Sequence, residues 1–446
     1  MPKKISDGIK TISGYLSREK KKTILFLLFV FLLMRMATAL FLGQKNFEGY
    51  DSIVYDQYAC TIVKDARWLA DTDFEGNYRA PGYPLFIAAV YSLFGCQNHT
   101  AVYIFQALLS VLTCFYIYKL SRLIFDEQVA FLSFVWSGLY VFYFYYMRFL
   151  LRETLIFSLI IVFFYYLYIY ILQEKNRTKN FWFFSVAYVC LIHTDARYLF
   201  YLPFFFFLFL CYRPFFRAVK QYVVFLAVFS LLLIPWTIRN YIAYDGFVLI
   251  NTRTLDLRPK DIRSPKPFSR ISDHILNFKT VKETERSVYP TEEERELIKQ
   301  GFNPNNRTAE EIAVIKKDIY PASGFLERKW FWFVEFWRPV RLSSYYYPFP
   351  DAKFHPKWTW PHNLSSLVCY GLLLPFMLIG IFLLWKQKNR AFFFLLFPIL
   401  LQTFLHVLHC GLWRYRVPID GFIIMIAFYG IVQTLTVIRK KSRAGF

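Results

Sequence analysis

Cysteine is scarce and unpatterned: the seven in 446 residues fall mostly inside apolar runs, with no CxxC and no Cys/His ligand spacing. A metal–thiolate site and a disulfide framework are therefore not what organises the chain. One pairing stays open, because Cys60 and Cys96 bracket the first polar loop and can join if that loop meets an oxidising compartment. No internal repeat or low-complexity tract stands out, which removes solenoid architectures. The first apolar run lacks the small-residue cleavage site of a signal peptide, so it reads as a retained span with a cytoplasmic N-terminus. Acidic residues are also few, 31 against 53 Lys and Arg, for a net charge of +22. The basic residues stand in short clusters between apolar runs instead of forming one domain. This excludes nucleic acid as the partner and marks membrane topology.

What the chain has in excess is apolar and aromatic side chains: 56% hydrophobic and 22% aromatic, with 52 Phe and 33 Tyr. A soluble domain of this length cannot hide so much, and the expected class is an all-α polytopic membrane protein whose partner is the lipid bilayer. Apolar runs of spanning or near-spanning length lie at 23–43, 101–120, 130–147, 154–172, 181–193, 199–212, 222–236, 364–385, 391–409 and 417–438. That makes about ten transmembrane helices, those at 181–193 and 199–212 being short. Basic clusters at Lys119/Arg122, Lys175/Arg177/Lys179, Arg213/Arg217/Lys220, Lys386/Lys388/Arg390 and Arg439/Lys440/Lys441/Arg443 then all fall on one side, giving both termini inside. The domains predicted are a transmembrane module 1–238 containing the first outer loop 44–100, a polar outer-face segment 239–363, and C-terminal helices with a basic tail, 364–446. Within the outer segment, helical patterns are predicted over 291–300, which opens Thr-Glu-Glu-Glu like a capping box, over 308–319, and over the aromatic stretch 325–337.

The charges that topology does not explain gather on the opposite, outer face. They are Arg67 and Arg79; Arg148, Arg152 and Glu153; His193, Asp195 and Arg197; Arg239 and Asn240; His409, Arg414 and Arg416. A charged side chain at membrane depth costs roughly 2.5–3.5 kcal/mol on insertion scales, so such residues face protein or a wet cavity and define a polar site. In the first outer loop, Asp51 stands where a helix would start. A carboxylate there bonds free backbone amides as an N-cap, and the same ionised group is a usable general base. Asp56 lies about 140° around that helix from Asp51 and is the weaker candidate. Pro81-Gly82-Tyr83-Pro84 breaks the chain before 85–94, a run too short to span and amphipathic enough to lie along the surface. His193, His406 and His409 read as packing residues, and Arg35, inside the first span, as a side chain that snorkels or pairs with a carboxylate.

Several of these stretches resemble one family. Asp51-Ser52 opening the outer loop, Arg79-Ala-Pro-Gly-Tyr-Pro-Leu-Phe-Ile-Ala-Ala-Val-Tyr-Ser-Leu-Phe-Gly95, Leu151-Arg-Glu-Thr-Leu155, Ile234-Pro-Trp-Thr-Ile-Arg-Asn240 and Arg414-Tyr-Arg-Val-Pro418 are similar, in order, to the GT-C membrane glycosyltransferases. More narrowly they resemble glycosyltransferase family 39, which includes the relatives of protein mannosyltransferases and of the lipid A aminoarabinose transferase. The resemblance implies an inverting transferase that moves a hexose or pentose from a polyprenyl-phosphate donor to a glycan, lipid or protein acceptor on the non-cytoplasmic face of the cell membrane. By the same resemblance Asp51 is the general base. A phosphate leaving group needs cationic stabilisation more than a proton, and Arg has the geometry for phosphate oxygens. Arg197, Arg414 and Arg416, followed by Arg79 and Arg152, are the candidates for binding the donor phosphate. Asp-Ser replaces the Asp-Glu pair of the eukaryotic protein mannosyltransferases, and no Asp-x-Asp stands near Asp51. Asp71-Thr72-Asp73 comes later in the loop, as a metal pair or a solvated turn. Glu153 either completes a divalent-metal site (magnesium or manganese) with Asp51 or Asp56, or orients Arg148 and Arg152, so the cofactor question stays open. The competing classes are a flippase or transporter of a lipid-linked or anionic substrate, and a non-catalytic assembly protein. A transporter would show paired interrupted helices in repeated halves, and an assembly protein has no use for the outer-face charges.

Overall fold

In lipid every backbone N–H and C=O must be paired within the protein, and a helix does this within one segment. The computed structural model describes residues 2–43, 50–64, 79–173, 176–244, 249–251, 325–339, 364–409 and 413–444. Among them every regular element is helical and no β-strand occurs. The helices are α1 (Pro2–Leu42), α2 (Tyr50–Lys64), α3 (Gly82–Phe94), α4 (His99–Ile124), α5 (Glu127–Leu139), α6 (Val141–Met147), α7 (Glu153–Tyr168), α8 (Arg177–Thr194), α9 (Leu202–Tyr212), α10 (Phe215–Tyr244), α11 (Phe325–Trp337), α12 (Leu373–Lys386), α13 (Phe392–His409) and α14 (Asp420–Ala444). The pattern at 325–337 is thus a helix, whereas those at 291–300 and 308–319, with Arg67 and the Asp71–Asp73 pair, lie outside the described residues.

The chain is a multi-pass membrane protein. Six helices among the described residues are long and apolar enough to cross a bilayer, or seven if α5 and α6, bent by 44° at Tyr140, count as one span. The expectation was about ten. Helices do occupy 181–193, 199–212 and 391–409, but α8, α9 and α13 fall short in length or hydropathy.

The chain divides into two units, Met1–Asp256 with Leu372–Leu400 and Val417–Phe446, and Leu257–Gly371 with Leu401–Arg416. In the first, α7 is the central element: Ile160, Ile161, Phe163 and Phe164 are buried, with Phe163 against Tyr188 at 5.2 Å and Phe164 against Phe422 at 5.0 Å between ring centroids. Helices α12 and α14 approach so closely that a side chain on Gly380 would collide with the Ile426 carbonyl, the small-residue contact by which helices associate in lipid.

Arg35 turns inward instead of snorkelling. It is fully buried, with Nε donating to Ser110 Oγ at 2.9 Å, Nη1 to the Gly138 carbonyl at 2.8 Å and Nη2 to the Ser137 carbonyl at 3.3 Å. Its guanidinium also lies 4.3 Å from the centroid of Phe144. A cation at the C-terminal end of α5 satisfies carbonyls that the bend leaves over and meets the negative end of the helix dipole. One buried charge therefore holds the break between α5 and α6, and α6 leads directly into the loop that carries Arg148 and Arg152.

Candidate active site

Helices α2 and α3 are joined by a disulfide between Cys60 near the end of α2 and Cys96 just beyond α3. This settles the pairing left open by the sequence. Tyr55, Ala59 and Cys60 of α2 and Tyr83, Ile87, Val90 and Tyr91 of α3 share a buried cluster with Ala39, Val102 and Met147. The two short helices are thereby fixed on α1, α4 and the end of α6.

Asp51 lies in the first turn of α2, where its charge meets the positive end of the dipole. Its Oδ1 is 2.6 Å from Nη2 of Arg79. Arg79 is nearly fully buried, at 3% exposure, whereas Asp51 keeps 14%, so the cation is enclosed and the carboxylate can be reached. The Arg79 guanidinium lies 5.5 Å from the centroid of Tyr55, which meets Tyr83 edge-on at 4.9 Å. Burial pushes the Tyr83 phenol well above its ordinary range, with Tyr103, Tyr55 and Glu153 adding to the shift, so it acts as a neutral donor.

Asp56 faces another way. Its Oδ1 accepts from the Tyr91 hydroxyl and lies 3.0 Å from Nε2 of His99. Burial, then the bond to Asp56, drives the Tyr91 phenol up, and the group knits α2 to α3 and to the start of α4.

The turn at Pro81-Gly82 explains its glycine. A Cβ on Gly82 would stand 2.7 Å from the His193 carbonyl carbon and from the Thr194 amide nitrogen, so only glycine lets the loop seat on the end of α8. The next residue there is Asp195, 3% exposed; the sequence marks it as one of the unexplained charges, and the fold makes it the shared partner of two arginines. Nη2 of Arg152 lies 3.3 Å from its Oδ2, and Nε of Arg197 donates to Oδ1 at 2.9 Å and Oδ2 at 3.1 Å. The Asp195 side chain also accepts from the backbone N–H of Arg197 at 3.2 Å. The available signal was a carboxylate two residues before an arginine at a span end.

Glu153 is buried in the first turn of α7, next to Arg152. Arg148 reaches back across the loop, donating to the Leu42 carbonyl at the end of α1 at 3.2 Å. Arg239 is buried and donates to Asn240 Oδ1 at 3.1 Å, over Trp236, whose ring is 6.3 Å from His193. Trp236 and Asn240 both donate to the Ile250 carbonyl, at 2.9 and 3.1 Å, so the Ile234–Asn240 stretch holds the returning chain. Among the described residues no three His, Cys, Asp or Glu side chains come together as a metal site, and Asp51, Asp56 and Glu153 do not form one.

In the second unit, Arg416 is fully buried. Its guanidinium stands 3.4 Å from the Tyr370 centroid, with Nη1 3.4 Å from the carbonyls of Phe336 and Arg338 at the end of α11. Arg414 donates to the Tyr415 hydroxyl at 2.7 Å. His406 stacks on Tyr415 at 4.5 Å as a packing residue.

The chain is similar to known proteins. The family described as dolichyl-phosphate-mannose-protein mannosyltransferase matches residues 78–238, which run from the Arg79 turn through Asp195 and end just before Arg239. Solved structures of the oligosaccharyltransferase of Archaeoglobus fulgidus align with the chain at 12% identity. The apo form gives a TM-score of 0.55, covering 96% of this chain and 52% of that one. The form in complex with an inhibitory peptide and a dolichol-phosphate gives 0.54, with the same coverage. The chain thus spans about half the length of these oligosaccharyltransferases. No curated protein matches its sequence. The chain has the GT-C glycosyltransferase fold, related to that of the protein mannosyltransferases.

Proposed function

We propose that the protein is a membrane glycosyltransferase that takes a sugar from a polyprenyl-phosphate-linked donor and gives it to an acceptor hydroxyl on the non-cytoplasmic face. The single observation that carries the reading is the Asp51–Arg79 ion pair on a loop seated against the Arg152–Asp195–Arg197 cluster. Asp51 takes the acceptor proton as the acceptor oxygen bonds to the anomeric carbon. The bond from that carbon to the phosphate oxygen breaks, and its electron pair leaves with the polyprenyl phosphate. A single displacement of this kind inverts the anomeric centre. Arg79 holds the carboxylate in place, and Arg152 and Arg197 stabilise the charge on the departing phosphate. Their shared anchor on Asp195 keeps the guanidinium groups ordered before the donor arrives, which lowers the cost of binding it.

The Cys60–Cys96 disulfide supports the orientation, since such bonds persist in oxidising compartments outside the cytosol. A lipid-linked donor is supported by the family match and by the dolichol-phosphate in the archaeal complex of the same fold.

The test is Asp51→Asn in proteoliposomes supplied with a panel of polyprenyl-phosphate hexoses and pentoses, with products read by mass analysis. Wild type forms a new glycosidic bond and the variant does not, while polyprenyl phosphate still binds. Unchanged transfer by the variant removes Asp51 as the base. Movement of the lipid-linked sugar across the bilayer with no new bond would make the protein a transporter.

A further inference from the structure

The side chain of Gln106 sits inside α4, fully buried, and makes three hydrogen bonds to two different outer loops. Its Oε1 accepts from the Tyr83 hydroxyl at 2.9 Å, and its Nε2 donates to the carbonyls of Met147 and Phe149, both at 2.8 Å. The two carbonyls can only accept, so the amide nitrogen must face them and the amide oxygen must face the phenol. The Met147 carbonyl ends α6, where no further helical turn exists to pair it, and Phe149 lies in the loop that leads to Arg152 and Glu153. Tyr83 belongs to the Arg79–Pro84 turn and leads through Tyr55 to the Arg79–Asp51 pair.

We propose that Gln106 is a positioning residue, whose one buried amide ties the loop carrying Asp51 and Arg79 to the loop carrying Arg152. Its catalytic consequence rests on the transferase reading above, but the mechanical tie does not. A base acting on the acceptor and a cation acting on the leaving phosphate must be held at a fixed separation for one in-line displacement. A side chain that touches neither can set that separation, because a misplacement of about 1 Å costs on the order of 100-fold in rate. An apolar side chain at this position removes the Gln106 donor from the Met147 carbonyl and the acceptor from the Tyr83 phenol, and leaves the Phe149 carbonyl to the Leu151 backbone N–H at 2.8 Å. A carboxylate supplies no donors for the carbonyls.

The experiment uses the full-length protein with Gln106→Met, which keeps the size and removes all three bonds, and Tyr83→Phe, which removes one. With the panel donor that wild type turns over, Gln106→Met lowers kcat roughly 10- to 100-fold while the donor KM stays within about twofold. The double variant falls no further than Gln106→Met alone, because both changes cut one connection. Hydrogen exchange, which needs no turnover, rises in 79–91 and 144–152 together for Gln106→Met and in 79–91 alone for Tyr83→Phe. A kcat within twofold of wild type, fully additive losses, or faster exchange over the whole chain would each overturn the proposal. If wild type turns over no donor, the transferase reading fails by itself. The exchange experiment then decides the tie between the loops, and equal protection of both segments in Gln106→Met refutes it.

Discussion

Arg79 meets Asp51 at 2.6 Å while remaining almost completely enclosed, so the more buried member of the pair is the cation and the carboxylate faces the accessible side. A general base needs this asymmetry, since the acceptor must reach the acid and the acid must not rotate away. The enclosure comes from the turn that follows Arg79, which is pressed onto the end of α8.

Arg79→Ala should therefore act on catalysis and not on donor capture. We expect turnover to fall about 100-fold or more, in line with the loss of a preorganised polar contact. Arg79→Lys should restore little of it, because a lysine cannot reproduce the planar fork that spans Asp51 and the Tyr55 face. Steady-state transfer by the two variants, compared with Asp51→Asn, checks this.

Asp195→Asn removes the carboxylate that Arg152 and Arg197 share. Breaking a buried ion pair on one side costs about 3–5 kcal/mol, because the remaining charges stay enclosed. The variant should melt earlier in detergent and bind polyprenyl phosphate more weakly. A melting temperature unchanged from wild type would show that the cluster is better hydrated than its burial indicates.

Gly82→Ala introduces a Cβ 2.7 Å from backbone atoms of His193 and Thr194, and backbone cannot give way as a flexible side chain does. Overpacking of this kind costs about 1–3 kcal/mol, and the loop should lift from α8. Faster protease cleavage near residues 79–82, with α1 and α14 unaffected, is the expected sign.

The Cys60–Cys96 bond closes a loop 36 residues apart in sequence, and chain-entropy reasoning assigns such a closure about 4 kcal/mol. Reduction, or the Cys60→Ser/Cys96→Ser double variant, should destabilise the α2–α3 unit by up to that amount. A mobility shift on reduction in a denaturing gel confirms the bond. Denaturant titration in detergent, followed at Trp, measures its contribution.

Apolar content and period alone determined that the chain crosses a bilayer as helices, because lipid leaves the backbone no other way to pair its polar groups. The same reasoning marked the Arg79–Pro84 stretch, Asp51 and the arginines near Asp195 as charges that membrane depth makes costly, and hence as residues with a purpose. Local pattern could not decide which of these charges meet. Asp51 and Asp56 stand on one short helix, yet one turns to Arg79 and the other to Tyr91 and His99, a choice made by the fold of α3 beneath them. Arg35, expected to snorkel or to pair with a carboxylate, caps a broken helix more than a hundred residues away in sequence. Gln106 is one polar residue in the apolar run 101–120, with no signal of its own in the sequence. Its role exists only because α4 passes between two loops and brings one amide within reach of both carbonyls and the phenol. Sequence fixes what each segment must bury, whereas the pairing of buried polar groups across segments depends on distances that only the folded chain defines.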